Sequence, residues 1–254
     1  MAAGLSLRHS LIEAGCFTLK AWRIAPLACG LMTLAFLFPV FLSARTLSLE
    51  MALPLIAAQA GLALIGWTGL LRAAQGRAGL GEIGLDALRV MASGLLNGLF
   101  LVLVGMVLTI VLLGIAGATG LAPGDDLTMA TQAVVSSGGW KTLVLLVVEI
   151  AAAMLVLSLS ARLLVSGPAT IVEGRVVSLA ALGWTRGSGL RPAAGLVTAL
   201  LPYIVLAVSA LLIPSGAAWI DVAWAFVLGF IQMPLLAGYA TGLWRTSFAP
   251  KDPI

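Results

Sequence analysis

Six stretches of the chain, at about 24–43, 52–71, 91–114, 143–163, 192–214 and 222–244, are apolar over most of their length. A helix needs roughly 20 such residues to cross about 30 Å of hydrocarbon. Backbone amides in hydrocarbon find no water, so each run has to bond to itself as a helix. Composition closes the soluble alternative. Of 254 residues, 61% are hydrophobic and 9% charged, whereas soluble domains carry roughly 25% charged residues. The expected fold is therefore an all-α polytopic membrane protein with six transmembrane helices, forming a single integral membrane domain over residues 1–254. Prolines within or at the ends of the runs (Pro26, Pro39, Pro54, Pro202, Pro214, Pro234) read as tolerated kinks.

Basic residues then orient the runs. With the N-terminus inside, Arg8, Lys20, Arg23, Arg72, Arg77, Arg89, Arg162, Arg175, Arg186, Arg191, Arg245 and Lys251 fall on the cytoplasmic side. Only Arg45 and Lys141 of the 14 basic residues fall outside. The positive-inside tendency thus predicts that both termini are cytoplasmic. The net charge of +4 is accounted for by anionic headgroups beside the spans, and nucleic acid is not expected as a partner. About 23 mixed residues including Glu13 precede the first run, which does not match the short basic n-region of a cleavable signal peptide.

The cytoplasmic segments share a pattern. Ser10-Leu-Ile-Glu13 fits a capping box, with Ser10 as N-cap and Glu13 three residues on. Around it His9, Ser10, Glu13 and Lys20 lie on one side of a helical wheel, and Leu7, Leu11, Leu19 and Trp22 on the other. Such a helix is expected to lie in the membrane interface, apolar face down. The stretch GLGEIGLDALRVM sets Glu82, Asp86 and Arg89 in a polar stripe beside Ile83 and Leu88. RVVSLAALGWTRG sets Arg175, Ser178, Thr185 and Arg186 against Val176, Leu179 and Leu182. Three units of interfacial amphipathic helix plus hairpin follow, at about 6–71, 80–163 and 175–244.

Catalytic and metal chemistry find little to work with. His9 is the only histidine, which excludes a His-based triad or a multi-histidine metal centre. Cys16 and Cys29 do not form a CxxC pair. Gly79-Leu-Gly81-Glu-Ile-Gly84 has GxGxxG spacing, but an apolar span precedes it and no βαβ unit fits, so it reads as a turn. Asp125 and Asp126 read as a solvated turn, since a cation cage needs about six oxygens. No catalytic residue, cofactor or metal is expected. Gly94-Leu-Leu-Asn-Gly98 is a GxxxG, expected to let helices approach closely within the bundle or between protomers, the first being preferred.

Glu149 is the most expensive residue, about seven positions and roughly 10 Å into the fourth run. Ionisable residues at that depth usually face a bundle interior. Asn97 and Gln232, in other runs, are potential partners. Two readings stay open: a structural polar contact, which is preferred, or a polar pathway for transport.

Between the fourth and fifth runs lies ARLLVSGPATIVEGR. Pro168 removes an amide donor and disfavours helix at Gly167, so the fourth span is expected to end or bend there. Glu173 is then placed to meet Arg162 or Arg186 and staple the turn. The segment RLLVSGPATIVEG followed by SLAALGWTRGSGLR resembles a motif of the bacterial membrane-domain family associated with glycerophosphodiester phosphodiesterases, including YciC-like stand-alone membrane proteins. The motif positions are Arg162, Pro168, Glu173, Trp184, Thr185 and Gly187. Gly183 stands where the family often has Ser, and the Trp-to-Gly spacing is shorter. The resemblance implies the membrane architecture and a link to envelope integrity. It carries no activity, since the phosphodiesterase barrel of fused members is a separate soluble domain.

The functional expectation is a non-enzymatic inner-membrane protein that supports envelope organisation or acts as an accessory subunit of a membrane assembly. Its partners are the bilayer and a membrane protein or a second copy. The alternative is a small-molecule or lipid transporter using Glu149.

Overall fold

The computed structural model of the protein describes residues 7–43, 49–77, 82–118, 139–185, 189–212 and 218–248. Every element among them is helical: α1 (Leu7–Ile24), α2 (Pro26–Ser43), α3 (Leu49–Ala74), α4 (Ile83–Ala118), α5 (Trp140–Leu163), α6 (Ser166–Glu173), α7 (Ala180–Trp184), α8 (Arg191–Leu212), α9 (Ala218–Val227) and α10 (Met233–Phe248). A π-helical turn, Leu228–Gln232, joins α9 to α10. Among the described residues five helices are long and apolar enough to cross a membrane, and six if the bent pair α1–α2 counts as one span.

The lead-in segments differ from the three separate interfacial helices expected. Only α1 is separate, meeting α2 at 96°. The second lead-in is the opening of α4, whose 36 residues reach about 54 Å at 1.5 Å per residue, well beyond the hydrocarbon thickness. The third shrinks to α7, five residues long.

α1 meets the bundle through its small residues. Ser10 is no N-cap, because the helix already begins at Leu7. Ser10, Ala14 and Ala21 are the buried residues, while Leu19 and Trp22 are exposed. The reason is size. Gly238 and Gly242 of α10 present bare backbone to α1: a Cβ on Gly238 would stand 2.8 Å from the Ala14 Cα, and one on Gly242 3.1 Å from the Ser10 Cα. A GxxxG on one helix and SxxxA on the other thus bring two backbones together, and dispersion over the close contact replaces an apolar face.

The same device recurs. A Cβ on Gly69 of α3 would lie 2.9 Å from the Ala28 Cβ of α2, and one on Gly229 would lie 2.8 Å from the Thr33 Cα. Gly94 and Gly98, the GxxxG singled out from sequence, meet nothing within 4 Å; their expected role within the bundle is not found. Two apolar clusters form the core, one around Cys29, Leu70, Leu71 and Ile171, the other around Val165, Leu196, Tyr239 and Leu243.

Gln232 supports a proline kink. Its Nε2 donates to the Ala199 carbonyl at 3.0 Å and its Oε1 accepts from the Tyr203 amide at 3.1 Å. Those two backbone groups pair with each other in an uninterrupted helix, and Pro202 lies between them. A buried carboxamide, donor at one end and acceptor at the other, satisfies both.

Candidate functional site

The motif segment forms α6, and a network of buried polar side chains gathers around it. The helix does not stop at Gly167-Pro168. Leu164 and Val165 keep right-handed helical dihedrals, and α6 continues to Glu173. Leu146–Glu173 is apolar enough throughout to count as one membrane-crossing helix. Pro168 is tolerated because it sits in the first turn of α6, where a missing amide matters least, and the ladder resumes with the Ala169 amide on Val165 at 3.2 Å. The end comes at Gly174, whose φ of 63° is left-handed.

α3 meets α6 through its C-terminus. Gly76 has φ 79°, the Arg77 amide bonds the Arg72 carbonyl at 2.8 Å, and the Gly76 amide bonds the Ala73 carbonyl at 3.0 Å. This pair of bonds is a Schellman turn, and it needs glycine at the left-handed position. The turn aims two side chains at α6: Gln75 Nε2 donates to the Pro168 carbonyl at 2.9 Å, and Arg77 Nη1 to the Ile171 carbonyl at 3.0 Å. The second takes up one of the last carbonyls of α6, where a cation also suits the helix dipole.

α4 contributes a chain of hydrogen bonds. Asn97 Nδ2 donates to Ser166 Oγ at 2.7 Å, and Ser178 Oγ donates to Asn97 Oδ1 at 2.8 Å. Ser93 Oγ bonds the Val177 carbonyl and lies 3.1 Å from Ser166 Oγ. Ser93 has one proton, so with that proton on Val177 the Ser166 hydroxyl donates to Ser93. Thr170 Oγ1 accepts from the Val177 amide at 3.0 Å and lies 3.2 Å from its carbonyl. Five side chains thereby fix the irregular strand of chain after α6.

Beside this chain lies a buried charge cluster. Asp86, in the first turn of α4, is ion-paired to Arg72 through Oδ2 and lies 3.4 Å from Arg89 through Oδ1. Its side chain is 3% exposed and that of Arg72 10%. Such a pair is costly to break, since removing one partner leaves the other charge in a dry interior.

The sequence-predicted residues separate into two kinds. Arg162 and Glu173 do not meet. Arg162 Nη2 donates to the Gly189 carbonyl at 3.1 Å, and Glu173 pairs with Arg175 at 2.7 Å. Helical continuation through Pro168 carries Glu173 away from Arg162, so no folded-back turn exists for the two to staple. Trp184 closes α7, half-buried, and Thr185 caps it through Oγ1 to the Ala181 carbonyl at 3.0 Å. Arg186 and Gly187, with Gly79–Gly81 and Asp125–Asp126, lie outside the described residues.

Asn97 and Gln232 are not partners of Glu149. The first belongs to the α6 network and the second to α8. Glu149 is exposed and lines an open groove between α4 and α5, with Gly105, Thr109, Ala152, Ala153 and Ser160. Sequence reasoning missed Ser93, Ser166 and Thr170, which look like ordinary small residues within apolar runs. Their signal was spacing: Ser93 and Asn97 are four apart, as are Ser166 and Thr170, which puts each pair on one helical face. Comparison of the chain with protein-family models, with curated proteins and with solved structures returns no match.

Proposed function

We infer that this chain is a multi-pass protein of a bacterial inner membrane, both termini cytoplasmic, serving as a non-enzymatic accessory subunit of a membrane assembly. Membership of the glycerophosphodiester-phosphodiesterase-associated membrane family is part of the same reading, supported by the motif residues around α6.

The observation that carries it is the position of Glu149. It lies on the outer flank of α5, amid a run that is apolar on both sides. Facing lipid, an ionisable group costs up to about 3 kcal/mol, the figure for a span centre, and less towards the ends. A second transmembrane helix seated in the groove, bringing a hydrogen-bond donor or a cation, removes that penalty. Gly105, Ala152 and Ala153 are small enough to admit it closely. The polar network around α6 then acts as the rigid base that holds the α4–α5 arm. A transport pathway draws less support, because Asn97 and Gln232 bond elsewhere and, among the described residues, no hydrogen bond joins them to Glu149.

A photo-cross-linking residue at Ala153, in native membranes, tests the reading. One discrete protein adduct, lost in the Glu149→Leu variant, is the expected result. Adducts of lipid size only, or a protein adduct indifferent to Glu149, would overturn it.

A further inference from the structure

The elbow between α1 and α2 encloses a second feature. Only Ala25 separates the two helices, and the 96° turn holds their corner away from the end of α3 and the start of α4. The space left is a cavity of about 430 Å³, walled by Ile24, Leu27, Leu31, Ile65 and Ile83 and edged by Arg72 and Arg77. That volume falls within the range of small-molecule sites. Leu27 and Ile65 are 57% and 40% exposed, so the cavity opens along the flank of α2 and α3.

The two arginines differ in what they have left to offer. Arg72 is buried and committed to Asp86. Arg77 is exposed, and among the described residues its side chain bonds the Ile171 carbonyl alone, so beyond the partial charge of the α6 end no carboxylate answers it. The nearby carboxylates do not cancel it: Asp86 is held by Arg72 and Arg89, and Glu82, exposed ahead of α4, makes no ion pair with it. An apolar slot beside the end of a membrane-length helix, with an uncompensated guanidinium at its rim, is complementary to one class of molecule. That class is an amphiphile with an acyl chain and an anionic head.

We propose that this cavity is a discrete binding site for an anionic phospholipid of the surrounding bilayer. One acyl chain lies against Leu27, Leu31 and Ile65, and the phosphate is held by Arg77. The site rests on the membrane reading above but is independent of the α4–α5 groove, because the two share no lining residue.

The full chain, purified in mild detergent and delipidated, is titrated with phosphatidylglycerol, phosphatidylcholine and inorganic phosphate, and adducts are counted by native mass spectrometry. One phosphatidylglycerol is expected to saturate first, about fivefold tighter than phosphatidylcholine, the preference one basic side chain supplies at a membrane surface. Inorganic phosphate alone is expected not to bind, because the acyl slot contributes. Arg77→Gln should erase the headgroup preference, and Leu27→Trp, which fills the mouth, should weaken both lipids. Arg23→Gln serves as control, since Arg23 stacks on Trp22 at 4.7 Å and does not line the cavity. Unsaturable adducts, an Arg77→Gln variant with unchanged preference, or equal loss in Arg23→Gln would each overturn the proposal. Arg77 is exposed, so its variant keeps the test valid even where Leu27→Trp fails to fold. The Ala153 cross-link is unaffected by Arg77→Gln, which separates failure here from failure of the subunit reading.

Discussion

Val177 shows what one residue without regular structure demands of its surroundings. Its carbonyl accepts from Ser93 and is within reach of Thr170, and its amide donates to Thr170. Buried backbone groups must be paired, and here side chains from two helices do the pairing. Asn97 anchors the arrangement by using both ends of its carboxamide. Its replacement by Ala removes the donor to Ser166, which is buried and keeps its bond to Ser93, and the acceptor of Ser178, which is half-buried and reaches water. Side-chain hydrogen bonds in a membrane bundle average about 0.6 kcal/mol. With two such bonds lost, Asn97→Ala is expected to cost about 1 kcal/mol, read as a lowered midpoint of thermal unfolding in detergent. An unchanged midpoint would show that the network does not hold α6. Asn97 itself was visible in the sequence as a polar residue in an apolar run. Its partners were not, because serine and threonine in a helix usually bond their own preceding turn and give no sign of reaching further.

At the scale of elements, glycine decides which helices touch. Two GxxxG pairs have the same spacing and opposite roles. Gly238 and Gly242 receive α1 at backbone distance, while Gly94 and Gly98 face open space. Gly242→Val places new carbon against the Ser10 backbone, which cannot swing aside as a flexible side chain would. Overpacking of this kind costs about 1–3 kcal/mol. The variant is expected to release α1 and expose it to limited proteolysis, while Gly98→Val leaves the digestion pattern of the detergent-purified monomer unchanged. Equal protection of α1 in both variants would sink the idea. Periodicity alone pointed to an α1 with Leu7, Leu11, Leu19 and Trp22 on the face turned to the membrane interface. It could not reveal that the partner surface would be glycine, against which small residues win over large ones.

At the scale of the molecule, one end of the bundle concentrates charge and polarity. Arg245 donates to the Ala74 carbonyl at 2.9 Å, Gln75 and Arg77 reach α6, and Asp86 lies between Arg72 and Arg89. α1, α3, α4, α6 and α10 are all tied there. The outward length of α4 is covered by little else and leaves Leu99, Leu103, Val107 and Ile110 exposed. The anchor is the carboxylate of Asp86. Asp86→Asn keeps the shape and removes the charge that faces both Arg72 and Arg89. Breaking a buried pair in this way costs about 3–5 kcal/mol. The expected result is loss of membrane accumulation. Full accumulation with an unchanged unfolding midpoint would show that Arg72 finds another partner. Glu173→Gln is the contrasting case, since its pair with Arg175 is largely exposed and such pairs contribute about 0–1 kcal/mol.

The apolar runs by themselves determined that the protein is helical and where its long helices lie, because a span of that length in hydrocarbon has only one way to satisfy its own amides. α2, α3, α4, α5, α8 and the α9–α10 helix cover the six expected runs closely. The partners were decided only in three dimensions. Sequence marks Arg162, Glu173, Asn97, Gln232 and Glu149 as polar residues in costly places. Whether each is answered by a carbonyl, a hydroxyl or a neighbouring charge depends on which backbones come close. That was set by bare glycines at Gly69, Gly229, Gly238 and Gly242 and by a left-handed Gly76, none of which carries a side chain to announce its role.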